Sequence, residues 1–185
     1  PQASRGRVTL VANFDYESWT GSRACLDAIH DLAPSERVWL AQETRDLPGA
    51  ERMLFAQLPE NEKHAWRLVI PDNAEPHESA SATQAQTRSI ESAFARWPSG
   101  EWLVSARYHA ALSGAWAGSK IVVIATNEKL RGVADELQVP SILPHATASE
   151  VSSALRLARP SVKPTKQAEQ ALNACAEFFA AIRRS

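Results

Sequence analysis

Short apolar, β-branched runs alternate with segments whose apolar positions recur every three or four residues, almost from one end of the chain to the other. Residues 7–14 (Arg-Val-Thr-Leu-Val-Ala-Asn-Phe) read as a buried strand that stops at Asp15. From Trp19 to Leu32, Ala24, Ala28 and Leu32 fall at intervals of four with Cys25 and Ile29 beside them, which predicts a helix. Strands are expected over residues 37–42, 66–70, 102–106, 120–125 and 139–143. Between them, helices are expected near 49–58, 84–97, 108–117, 128–137 and 148–158. Pro98 with Gly100, and Gly118, supply the stop signals. Residues 72–83 are rich in Pro, Ser, Ala and Glu without periodicity and read as a loop. Pro160 and Pro164 break the pattern before a last helix over 165–183.

Six strands separated by helices require a parallel sheet covered on both faces. Crossover handedness then gives a doubly wound, Rossmann-like α/β sheet. Residues 1–160 are expected to form that domain. Residues 161–185 are expected to carry the terminal helix, whose Leu172, Phe178, Phe179 and Ile182 are candidates for packing on another domain. The first residue is Pro1 rather than Met, as expected of a processed or excised polypeptide.

Composition narrows the class. Hydrophobic residues make up 44% and charged residues 22%, the balance of a globular domain. A formal net charge of −1 gives no general attraction to nucleic acid. Neither a signal-like leader nor an apolar run of about 20 residues is evident, so a cytoplasmic setting is expected. Cys25 and Cys175 are far apart, without metal-ligand spacing, and read as buried, inert thiols.

Open parallel sheets bind ligands beyond the carboxyl ends of their strands, so the chemistry is sought there. Asn13 and Asp15, Glu43 and Arg45, Asp72 and Asn73, and His145 all follow strands. The segment after the first strand, Asn-Phe-Asp-Tyr-Glu-Ser, lacks the glycine fingerprint of dinucleotide sites. Walker, HExxH and GxSxG motifs are also missing, and no metal site is expected. The ends of the fourth and fifth strands stand out. Arg107 offers a planar fork for carboxylate or phosphate, and His109 exchanges a proton near neutral pH. Both open a helix, whose free N–H groups favour an anion. Asn127 and Lys129 open the next one. Together these groups suit a small substrate with both phosphate and carboxylate. Rim charges of this kind are also common as plain solvated surface.

Residues 102–142 resemble the signature region of the polysaccharide pyruvyltransferase family. That region is a hydrophobic strand ending in Arg-x-His, a small-residue helix with a glycine, an apolar strand and a helix-opening lysine. Here these are Arg107-Tyr108-His109, Gly118 and Lys129, followed by the turn Leu137-Gln-Val-Pro140. Tyr108 stands where the family carries an aliphatic residue. The resemblance implies the second of two Rossmann-like halves in a GT-B-like enzyme, with an amino-terminal half as its partner domain. It also implies transfer of the carboxyethylidene unit of phosphoenolpyruvate to a saccharide, lipid-linked at the inner membrane face in one variant of the reading. No cofactor is implied. In this frame Arg107 and His109 are catalytic, and Arg107, Lys129 and Asn127 bind substrate. Two other readings stand beside it: the nucleotide-sugar half of a GT-B glycosyltransferase, and a non-catalytic interaction domain built on some of the six tryptophans.

Overall fold

The structure, a computed structural model, describes residues 4–12, 19–41, 50–70 and 100–161. The six expected strands are all present: β1 (Ser4–Val11), β2 (Glu36–Leu40), β3 (Arg67–Val69), β4 (Gly100–Ser105), β5 (Lys120–Ile124) and β6 (Ser141–Ile142). They form one sheet in the order β3-β2-β1-β4-β5-β6, and every pairing is parallel. The described helices are α1 (Trp19–Asp31), α2 (Glu51–Ala56), α3 (Glu60–Lys63), α4 (Tyr108–Trp116), α5 (Glu128–Leu137) and α6 (Ala148–Leu157). The fold is a Rossmann-like, doubly wound α/β sheet.

Alternation along the strands explains the two layers. Val8, Leu10 and Ala12 of the β1 segment share one apolar cluster with Val104, Val122 and Ile124. Helices α1 and α6 close that face through Cys25, Ile29, Val151 and Leu155. Val11, Leu103, Ile121 and Val123, offset by one residue, belong to the other face, which α4 and α5 cover with Ala110, Ala111, Val133 and Leu137. A strand buried on both sides reads as a continuous apolar run, which is why these segments were visible in the sequence.

Small residues set the depth of the second layer. A Cβ built on Gly114 of α4 would lie 2.2 Å from Leu103 Cδ2, so the glycine lets the helix settle on β4. Gly118, at φ +78°, ends that helix in the left-handed region.

Differences from the expected elements have local causes. β6 is cut to two residues between Pro140 and Pro144; Pro140 has no N–H and only accepts, from Val123 N at 2.9 Å. Helix α2 stops at Ala56, and Pro59 leads into a short α3 that the apolar pattern did not announce. The helices expected over 84–97 and 165–183, and the loop over 72–83, lie outside the described residues. No helix among the described residues is long and apolar enough to cross a membrane.

Candidate functional site

In this strand order the chain reverses direction of travel across the sheet between β1 and β4, and the crevice at their carboxyl ends is where such folds take ligands. Arg107 stands at that point. The residue is extended (φ −122°, ψ 133°) and immediately precedes α4. The buried Ser105 hydroxyl fixes the bend, accepting from Arg107 N at 3.0 Å and donating to Arg107 O at 2.9 Å.

The guanidinium has a protein partner. Arg107 Nε donates to Glu51 Oε1 at 2.6 Å, with the arginine side chain 31% exposed and the glutamate fully buried. Glu51 opens α2, and its carbonyl accepts from the buried Trp39 Nε1 of β2 at 2.8 Å. Glu51 therefore belongs to the β2 side of the sheet and Arg107 to the β4 side. Since β1 lies between those strands, the ion pair spans the crevice. Sequence reasoning missed Glu51. An acidic residue in a helix's first turn reads as an ordinary partner of the helix dipole, and no local pattern marks it as buried.

Two of the other predicted groups meet at Tyr108, the residue after Arg107. The His109 ring packs edge-on to Tyr108, centroids 5.4 Å apart, and Lys129 Nζ lies 4.5 Å from the Tyr108 ring centroid. Adjacent crossovers thus bring Lys129 of α5 to the start of α4, with the aromatic ring of Tyr108 as the platform between them. His109 and Lys129 are both exposed. Among the described residues Lys129 has no ion-pair partner, whereas its neighbour Glu128 pairs with Arg131 at 2.9 Å. The Arg107 side chain does not cap the start of α4.

Asn127 has a structural task. Its Oδ1 accepts from Leu130 N at 3.0 Å and caps α5. His145 lies apart from these groups, in a cleft of about 430 Å³ beyond β6 with Leu143 and Leu157. Asn13, Asp15, Glu43, Arg45, Asp72 and Asn73 lie outside the described residues, as does Cys175. Cys25 is buried, and burial pushes its thiol from an ordinary 9.0 up to about 12.

No family model matches the chain, and no curated protein matches it.

Proposed function

We propose that the carboxyl ends of β1, β4 and β5 bind a small substrate bearing both phosphate and carboxylate, and that the chain is the carboxyl-terminal half of a polysaccharide pyruvyltransferase. The observation that supports this reading is the meeting of His109 and Lys129 at the Tyr108 ring, directly after Arg107 in the chain. The similarity of residues 102–142 to that family adds the reaction.

In this proposal Lys129 and the start of α4 receive the phosphate of phosphoenolpyruvate. Arg107 commits Nε to Glu51, yet a guanidinium has five N–H donors, and the others meet the carboxylate. Glu51 fixes the plane of that fork. His109, exposed and against the Tyr108 ring, gives its proton to the methylene carbon. The carbon bearing the phosphate becomes oxocarbenium-like, a sugar hydroxyl oxygen bonds to it, and its bond to the phosphate oxygen breaks. A second hydroxyl of the sugar closes the ketal. Two hydroxyl protons balance the reaction, one ending on the new methyl group and one on inorganic phosphate. Lys129 and the helix N–H groups stabilise charge growing on the departing phosphate. The acceptor saccharide and a preceding half-domain are parts of the same proposal.

Titration of phosphoenolpyruvate into the protein, followed by NMR at the His109 ring, tests it. Saturable shifts that vanish in Lys129→Ala are expected. Absence of saturation, or a response to UDP-glucose in its place, would overturn it, the second outcome favouring a glycosyltransferase half.

A further inference from the structure

The opposite pole of the sheet carries a second arrangement of charge. A cleft of about 310 Å³ lies at the amino ends of β2 and β3, lined by Arg23, Asp27 and His30 of α1, Arg37 of β2, Glu62 of α3, and Trp66. Arg23, Asp27 and His30 fall at intervals of four and three, so one face of α1 supplies them. Arg23 Nη1 bonds Glu62 Oε1, and Arg23 Nε lies 3.3 Å from Asp27 Oδ1. One guanidinium is thus shared by two carboxylates, which leaves an excess negative charge on that wall. Arg37 stands in the other wall. Its Nε is buried with no hydrogen-bond partner, and Arg37 has no ion pair among the described residues. A buried N–H lacking an acceptor is unfavourable, so Arg37 calls for an oxyanion. The cleft is neutral in sum but polarised, negative at Arg23–Asp27–Glu62 and positive at Arg37. Buried Leu26 and Trp66 add apolar wall.

We propose that this cleft binds a small zwitterion of the α-amino acid class, its carboxylate on Arg37 and its ammonium toward Asp27 and Glu62. A simple anion would leave the acidic wall unanswered, and a simple cation would leave Arg37 so. The size stands at the lower end of small-ligand pockets. This site is independent of the one at the carboxyl ends of β1, β4 and β5.

The test is an NMR titration that follows the arginine Nε–H resonances, with that of Arg37 assigned by its loss in Arg37→Gln. The probes are L-phenylalanine, N-acetyl-L-phenylalanine and L-phenylalaninamide. A saturable shift with the free amino acid is expected, weaker by about tenfold or more for each blocked form, since each loses one charge-assisted contact. Arg37→Gln should abolish it. Asp27→Asn should weaken binding of the free amino acid while leaving that of the N-acetyl form unchanged, which decides the matter even where Arg37→Gln does not fold. Equal affinity for all three probes overturns the proposal. So does the same response to sodium phosphate alone, or no saturation up to about 10 mM, well above a millimolar Kd.

Discussion

At the scale of single residues, the candidate site divides into groups free to act and groups bound into the fold. His109 and Lys129 are exposed and were legible in the sequence, because a side chain just past a parallel strand has few structural tasks. Arg107 was legible for the same reason, but its tie to Glu51 was not. That tie joins segments more than fifty residues apart, and local pattern carries no trace of it. Arg107→Ala removes one partner of the buried Glu51 carboxylate and should lower the unfolding free energy, by about 1–3 kcal/mol. A urea-denaturation double-mutant cycle with Glu51→Gln should return a coupling of roughly 1–3 kcal/mol; additive effects would show that the pair contributes no stability. His109→Ala should move stability by less than about 0.5 kcal/mol, so a loss of phosphoenolpyruvate response in that variant, which the proposed function expects, would not be an effect of unfolding. Cys25 provides a check on the core beneath. Its thiol, pushed up to about 12, stays protonated at pH 8. In Cys175→Ser protein, iodoacetamide should leave Cys25 unmodified until denaturant unfolds the chain, as read by mass spectrometry.

At the scale of elements, periodicity located helices well where packing and capping agree. Helix α5 begins and ends at the expected residues because Asn127 caps it and Gln138, at φ 56°, closes it. Helix α6 starts at a capping box in which Thr147 Oγ1 accepts from Glu150 N and Glu150 accepts from Thr147 N. Helix α3 escaped the reading because its four residues, Glu-Asn-Glu-Lys, bury nothing and leave no apolar signature. Two helix glycines give opposite predictions. In α5, Gly132 has open space around its Cβ position, so Gly132→Ala should stabilise the protein by about 0.5–1 kcal/mol through helix propensity. In α4, the same propensity gain at Gly114 meets Leu103, which is buried and has little room to turn away. Overpacking of this kind costs about 1–3 kcal/mol, so Gly114→Ala should lower the melting temperature and Gly132→Ala raise it. If both raised it, α4 would not be seated on β4 as closely as described.

For the whole molecule, the alternation of strands and helices was enough to give the doubly wound sheet, since parallel pairing leaves few other topologies. The lateral ties between strand ends were not readable, and they set how the fold responds to pH. Glu36, in β2, accepts from Arg7 of β1 at 2.5 Å and from Arg67 Nη2 of β3 at 2.7 Å, linking three neighbouring strands. Partial burial works to raise its pKa, but the hydrogen bonds and charges of Arg7 and Arg67 outweigh it and hold the carboxyl below its ordinary 4.5. Glu150 is held low as well, by the backbone N–H and then the hydroxyl of Thr147. A carboxylate whose pKa is lower folded than unfolded adds stability above the unfolded value and loses it as pH falls through the folded one. Both contributions are therefore complete at neutral pH and begin to be lost as pH falls below about 4.5. Cys25 acts at the other end with the opposite sign. Its raised pKa favours the folded state below the ordinary 9.0, and that contribution is lost as pH rises from there toward about 12. Urea midpoints measured across pH should form a plateau with a fall on each side. Glu36→Gln should lower the plateau and flatten the acid limb, and Cys25→Ala should flatten the alkaline limb alone. An acid limb unchanged in Glu36→Gln would show that the carboxylate joining β1, β2 and β3 does not hold the sheet together.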